Sequence, residues 1–347
     1  MKLIVPCCGK STRFPNMRPK WMLTHPDGNL MVKKAIENIN IPAKDVVITI
    51  LREHEEKYDV VKGLKENIGK EITVVVLDEQ TRSQPETVYM TLQKLNLKES
   101  FFIKDSDNTF AVPKIDEDYN YVCYSDLQDY DSINPGNKSY IALNEQKIIT
   151  NIVEKKVISK FFNVGGYFFK SPEDYKSTYE KLSKGNSHHE LYTSHIIHDL
   201  TFSQGKVFFG KEIKTYVDWG TFEQWQAYRQ KFKTYLIDID GVVFKSAAQF
   251  FKPRWKDAQP IESNVEVLKK LCDDKNTQVI FITSRAEEYR KITEEQLAKL
   301  GLKHDGLIMG CLHANRVIIN DFSSTTKYPT CEAINIVRDS EDLHKYI

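Results

Sequence analysis

The residues that could do chemistry fall into a few tight groups. Gly9-Lys10-Ser11 follows the opening apolar run and has the residue types of a phosphate loop. A G-x-x-x-x-G-K-[ST] loop would need its first glycine at position 4, where the chain has Ile4, so that reading fails on spacing. Cys7 and Cys8, if they lie on a strand, point to opposite faces and make a poor metal clip. They are expected to be small buried residues, and the six scattered cysteines to be free thiols. Further along stand Arg13 and Lys20, the acidic run Asp105-Ser106-Asp107, the pair Glu154-Lys155, Asp218, and then Asp238 and Asp240 two residues apart. Cations that neutralise phosphate oxygens and carboxylates that hold a hard metal ion are what phosphoryl chemistry needs. His188, His189, His195 and His198 crowd one stretch, with His195 and His198 three apart, where metal binding is conceivable. That stretch is expected to be solvated or to face substrate.

The elements that must position these groups alternate along the chain. Strands are expected over Lys2–Pro6, Val46–Ile50, Ile72–Leu77 and Phe101–Lys104, with helices over Met31–Ile39, Glu53–Ile68 and Thr87–Leu95. This rhythm argues for a parallel sheet covered on both faces. The middle is richer in strands: Tyr121–Tyr124, Ser139–Leu143, Lys147–Val153 and Phe161–Phe169. Helices at about 172–182 and 189–200 and a closing helix over Phe222–Lys231 follow. The rhythm then restarts, with strands at Thr234–Asp238, Gln278–Ile282, Gly306–Met309 and Arg316–Ile319 and helices at Ile261–Cys272 and Lys291–Leu300. The fold class is α/β with two domains, 1–231 and 233–347, joined by a short charged segment.

Length and composition agree. A chain of 347 residues holds two domains at about 150 residues each. Hydrophobic content of 41% and charged content of 28% describe an ordinary globular protein. A net charge of +1 leaves no basic surplus for a general hold on nucleic acid. No apolar run reaches the roughly 18 residues of a membrane helix, so no membrane insertion is expected. The opening run Leu3-Ile4-Val5 is too short for a secretory signal, which predicts a cytoplasmic protein. Oligomeric state is left open, a homo-oligomer included.

The stretch Gly9-Lys10-Ser11-Thr12-Arg13-Phe14-Pro15, with Pro19-Lys20 beyond it, resembles the signature loop of the sugar-phosphate nucleotidyltransferases, G-x-G-x-R-Φ-P followed by P-K. Ser11 stands where that family commonly has its second glycine. Such a loop after the first strand lies at the carboxyl end of the sheet, where backbone N–H groups can cradle a triphosphate and Arg13 and Lys20 add charge. The resemblance continues in order. Asp107-Asn108 is similar to the family's G-D-N motif, which makes Asp107 a metal ligand, with Asp105 as the fallback. Val153-Glu154-Lys155 resembles the V-E-K strand that meets the sugar phosphate. Asn163 to Phe169, with Gly166 at the substrate, resembles the N-x-G-x-Y-x-F strand. Val217-Asp218-Trp219-Gly220-Thr221 resembles the D-x-G-T motif with the second metal-binding aspartate. Glu190 occupies a place where the family can meet the acceptor. Gln84 lies where the family reads the base, although it could equally cap the helix it precedes. The resemblance implies Mg²⁺, a nucleoside triphosphate (CTP favoured) and a sugar or polyol phosphate as acceptor. It implies a Rossmann-like mixed-sheet domain serving capsular or surface polysaccharide synthesis.

Asp238-Ile239-Asp240-Gly241-Val242-Val243, after an apolar strand, resembles motif I of the haloacid-dehalogenase (HAD) phosphatases. That implies a smaller Rossmann-like domain with a minimal cap, Asp238 as nucleophile and Asp240 as acid/base. Thr283 in Phe281-Ile282-Thr283-Ser284-Arg285 would bind the phosphoryl group, as in motif II. Asp321 in Ile318-Ile319-Asn320-Asp321 would complete a Mg²⁺ site with Asp238 and the backbone carbonyl of Asp240. One departure stands out. Similar short-capped proteins carry a lysine near Met309-Gly310-Cys311, which is absent here, leaving Arg285 or Arg316 as substitutes. The alternative is a degenerate domain with a structural or oligomerising role.

Overall fold

A computed structural model describes residues 1–9, 11–130, 133–185, 190–246, 255–321 and 330–347. The chain divides into two compact units, Met1–Gln226 and Ala227–Ile347.

The first unit opens with β1 (Lys2–Pro6), α1 (Met31–Ile36), β2 (Val46–Leu51), α2 (Arg52–Tyr58), α3 (Val60–Asn67), β3 (Thr73–Leu77), α4 (Gln84–Lys94) and β4 (Phe101–Lys104). Next come β5 (Asn108–Phe110), β6 (Asn120–Asp126), β7 (Ser139–Leu143), β8 (Ile149–Glu154), β9 (Phe161–Phe169), α5 (Pro172–Gly185) and α6 (Thr193–Phe202). It ends with β10 (Phe208–Glu212), β11 (Tyr216–Asp218) and α7 (Phe222–Arg229). The main sheet runs β10-β6-β9-β4-β1-β2-β3, with β7 pairing β8 and β9. Strands β4, β1, β2 and β3 are mutually parallel, whereas β9 runs antiparallel to both β4 and β6, so the sheet is mixed.

The parallel strands are apolar throughout because both faces are covered: all six residues of β2 are buried. Alternation divides the side chains between two cores. Leu3, Val5 and Cys7 join one, and Ile4 and Cys8 the other. Both cysteines are buried free thiols, and burial pushes the Cys8 thiol up to about 12. They are packing residues.

The long helix expected over 53–68 is broken in two. Asp59 takes a left-handed conformation (φ 49°) between α2 and α3, and the Glu55 carboxylate accepts the Val61 N–H at 2.7 Å across the break. A second correction concerns the helix expected from about residue 189. It begins at Thr193, so Glu190 lies outside it, and His188 and His189 lie outside the described residues.

The second unit contains β12 (Lys233–Asp238), α8 (Glu262–Asp273), β13 (Thr277–Ile282), α9 (Arg290–Lys299) and β14 (Gly306–Ile308). Its three strands are parallel in the order β12-β13-β14. Ile237, Val243, Val265, Leu268, Phe281 and Leu297 form its core. The buried Asn264 side chain donates to the carbonyls of Val242 and Ser340, each at 2.9 Å, tying the C-terminal segment to the loop after β12. The strand expected at Arg316–Ile319 is not formed. Val317 is 80% and Ile319 94% exposed, and the run pairs with no strand among the described residues. A three-residue apolar run has strand character only where an edge receives it.

Candidate functional site

The loop after β1 is closed by its own residues. Ser11 has a left-handed φ of 51°, the conformation for which a glycine is usual, and its hydroxyl accepts the Lys20 N–H at 3.0 Å. The hydroxyl ties the two ends of the loop together, and the buried Phe14 donates its N–H to the Ser11 carbonyl at 2.8 Å. A Cβ added to Gly9 would meet nothing within 4 Å among the described residues, which leaves room over the backbone there. Lys10 lies outside the described residues.

The acidic pair is assembled by a two-stranded ribbon. β5 and β11 run antiparallel with Asn108 opposite Asp218, and the Trp219 N–H donates to the Asp107 carbonyl at 2.9 Å. These contacts bring Asp107 and Asp218 together. A Cβ added to Gly220 would lie 3.0 Å from Asp218 Oδ1, 3.4 Å from Asp107 Oδ2 and 3.9 Å from an Arg13 guanidinium nitrogen. One point thus meets both carboxylates and the loop arginine.

Each carboxylate has a lysine. Lys20 Nζ pairs with Asp107, and Lys138 Nζ pairs with Asp218. Burial would push the Asp107 carboxyl up, but Lys20, Arg13 and Lys138 outweigh it and hold the group well below the usual carboxylate range. Gln224 Nε2 and the Gly220 N–H also donate to Asp218, at 2.9 and 3.0 Å. Two adjacent carboxylates are a donor set for a hard divalent cation whose remaining ligands are phosphate oxygens and water, so the residues fit Mg²⁺.

Asp105 has a different environment. Burial first, and then the Asp107 charge, push its carboxyl up to about 6. It accepts from Gln84 Nε2, whose amide oxygen accepts the Thr193 hydroxyl at 3.0 Å. Gln84 is therefore engaged within the fold. The capping role falls to Ser83, whose Oγ accepts the Glu86 N–H at 3.4 Å, and not to Gln84. The strand behind is shaped to Asp105: a Cβ on Gly165, at φ 82°, would lie 2.3 Å from Asp105 Oδ2. Gly166 is a packing glycine, because a Cβ there would lie 2.7 Å from the Phe110 ring.

Behind the acids lies Lys104, which is fully buried. Its ammonium donates to the carbonyls of Asp105 and Asn108 at 2.8 and 2.9 Å and sits 4.4 Å from the Phe110 ring centroid. Burial lowers its pKa to about 8 against the pull of Asp105, Asp107 and Asp218. Neither Lys104 nor Lys138 is marked as a site residue by a motif in the sequence. A lysine amid an apolar strand is the only trace of the first, and the second has no local signature.

On the other flank, Lys155 takes φ 53° and its ammonium donates to the Tyr192 hydroxyl. That hydroxyl donates to Glu190 at 2.7 Å. Glu154 accepts from Ser139 and from Ser194, the latter at 2.8 Å. Glu154, Lys155 and Glu190 are thus brought to one place by Tyr192 and the start of α6. His195 and His198 make no cluster: His195 Nδ1 accepts the Tyr192 N–H at 3.3 Å, and the His198 ring lies 4.7 Å from Phe202.

In the second unit the carboxylates at the end of β12 face arginines. The fully buried Arg285 holds Asp240 by two bonds, at 2.9 and 2.7 Å. Arg316 pairs with Asp238 at 3.1 Å. Thr283 is buried and donates weakly to Asp240 at 3.4 Å. Asp321 is exposed in a stretch without regular structure. Among the described residues no group of three or more His, Cys, Asp and Glu side chains is placed to hold an ion. The carboxylates of Asp238 and Asp240 are thus engaged by arginines, and the side chains of Asp238, Asp240 and Asp321 do not form one cluster.

No family model matches the chain, and no curated protein does. Solved structures share the fold of part of it. A nucleoside-diphosphate-sugar pyrophosphorylase from Vibrio cholerae RC9 superposes with a TM-score of 0.54 at 18% identity, over 65% of this chain and 98% of its own. A UDP-glucose pyrophosphorylase complexed with UDP-glucose does so with a TM-score of 0.51 at 18% identity, over 66% and 98%. Over about two thirds of its length, the chain therefore has the fold of these pyrophosphorylase structures.

Proposed function

We propose that the first unit transfers a nucleotidyl group from a nucleoside triphosphate, CTP favoured, to a sugar or polyol phosphate. The observation that carries this reading is the meeting of Asp107, Asp218 and Arg13 around Gly220, beside the loop closed by Ser11 and Lys20. An oxygen of the acceptor phosphate attacks the α-phosphorus. A new P–O bond forms there as the bond to the bridging oxygen breaks, and pyrophosphate leaves with that electron pair.

The work is bringing two polyanions together, so positioning and charge dominate. Arg13 and Lys20 draw the triphosphate to the loop after β1. Lys155, oriented by Tyr192, holds the acceptor phosphate, and Glu190 limits how far that tyrosine turns. Mg²⁺ would be held by Asp107 and Asp218 and, when bound, supplies positive charge at the phosphates. The product would be a nucleotide-linked sugar or polyol suited to capsular or surface polysaccharide synthesis. Pyrophosphate release with Mg²⁺, each of five triphosphates and a panel of sugar and polyol phosphates is the test. Silence across the panel with folded protein refutes the reading.

For the second unit the motifs support a HAD-type phosphomonoesterase acting on a compound of the same pathway, with Asp238 as nucleophile. A second reading, a structural or oligomerising module, is favoured by one observation. Both carboxylates are already paired to arginines, Asp240 through two bonds to a buried one. Hydrolysis of a generic phosphomonoester by the intact chain, compared with Asp238→Asn, separates the two: equal rates would leave the module reading.

A further inference from the structure

Lys138 touches both flanks of the first site. Its side chain is 13% exposed, and its ammonium donates to Asp218 Oδ2 and, at 2.6 Å, to the Tyr216 hydroxyl. The ammonium lies 5.0 Å from the Tyr216 ring centroid, so an aromatic face steadies it as well. Its backbone carbonyl accepts the Lys155 N–H at 3.0 Å, at the residue whose φ is 53°. One residue therefore fixes Asp218 through its side chain and Lys155 through its backbone.

The arrangement has an electrostatic consequence. Two carboxylates close together in a half-buried site repel each other and lose hydration, and each needs a counter-charge. Lys20 supplies one for Asp107 and Lys138 the other for Asp218. An ammonium and a divalent cation cannot share Asp218 Oδ2 without strong repulsion.

We infer that Lys138 is a positioning residue that competes with a divalent cation for the Asp218 carboxylate, so that metal alone loads poorly. The inference rests on Asp218 being a cation ligand. The lysine fixes the direction of the carboxylate until a cation arrives. A cation must displace it, which favours metal that arrives with a polyanion able to receive the freed ammonium.

The test is titration of the full chain with Mn²⁺ in the absence of nucleotide, reading free Mn²⁺ by electron paramagnetic resonance. Removing one positive charge a few ångströms from a bound cation should tighten Mn²⁺ binding by roughly ten-fold or more in Lys138→Met. Lys138→Arg should behave as the parent. In Asp218→Asn the second change, Lys138→Met, should add nothing. Should Lys138→Met melt below the assay temperature, Lys138→Gln keeps a donor toward Tyr216 without the charge and is read the same way. Unchanged or weaker Mn²⁺ binding in a folded, charge-free variant overturns the inference, as does no binding in any variant. The readout is independent of turnover. Tighter Mn²⁺ binding without pyrophosphate release would keep the Lys138 assignment and refute the transferase.

Discussion

The Trp219 N–H donates to the carbonyl of Asp107 at 2.9 Å, joining two segments more than a hundred residues apart in sequence. This bond extends the β5–β11 ribbon by one step and sets Asp107 against Asp218. If the pair holds the cation, Asp107→Asn and Asp218→Asn should each lower kcat/KM for pyrophosphate release by roughly a hundred- to a thousand-fold. The double variant should lose little more than either, because the two act as a unit. Retention of full activity by either single variant refutes the assignment.

Ser11 separates two contributions that substitution can measure. Ser11→Gly loses the bond to the Lys20 N–H but relieves the left-handed backbone, and should be close to neutral in melting temperature. Ser11→Ala loses the bond and keeps the strain, at a cost of about 1 kcal/mol. Thermal melts that rank alanine above glycine would contradict this account.

Gly165 leaves no space for a side chain. Gly165→Ala combines φ 82° with a Cβ 2.3 Å from the Asp105 carboxylate, and should destabilise the first unit by about 1–3 kcal/mol. Denaturant unfolding measures it, and an unchanged midpoint would show that β9 and Asp105 can part at no cost.

The acid limit of stability should involve histidines. Burial lowers the pKa of His25, His54 and His195, opposed by Asp27, Glu53 and Glu154 respectively. A depressed histidine contributes stability that is present above the unfolded value, about 6.5, and is lost as pH falls through the lower folded value. The melting temperature should therefore drop between pH 7.5 and 5.5. His54→Gln, which cannot charge, should flatten that drop, and an unaltered slope would exclude His54 as a contributor.

In the second unit the buried Arg285 carries the prediction. Arg285→Ala leaves Asp240 facing a site without its guanidinium and should cost about 3–5 kcal/mol, whereas pairing it with Asp240→Asn should recover part of the loss. A double-mutant cycle by denaturant melts reads the coupling directly. Additive losses would show that the pair does not hold the unit together.

Much of this architecture was legible because the signals are local. The apolar runs of β1, β2 and β4 and the amphipathic stretches between them show in the order of residues, and Asp107 and Asp218 stand in recognisable surroundings. What escaped was set by partners distant in sequence. β5 and β11 are three residues each, too short to have a pattern, and each is a strand only because the other is there. Lys138 lies in an ordinary polar stretch, and only the fold brings it to Asp218. The break at Asp59 follows from a backbone conformation that an aspartate accepts but does not announce. At Arg316–Ile319 the error ran the other way: an apolar run read as a strand lies exposed, with Arg316 turned to Asp238.

The ribbon that joins Asp107 to Asp218 is separate from the main sheet. Two short strands alone are marginally stable in water, but this pair is anchored in the core by Phe110 and Tyr216, which are 1% and 6% exposed. The acidic pair therefore rides on a clasp riveted to the body of the domain, and opening it means unpacking those two rings. On heating, Asp107 and Asp218 should part at the melting temperature of the first unit and not before it.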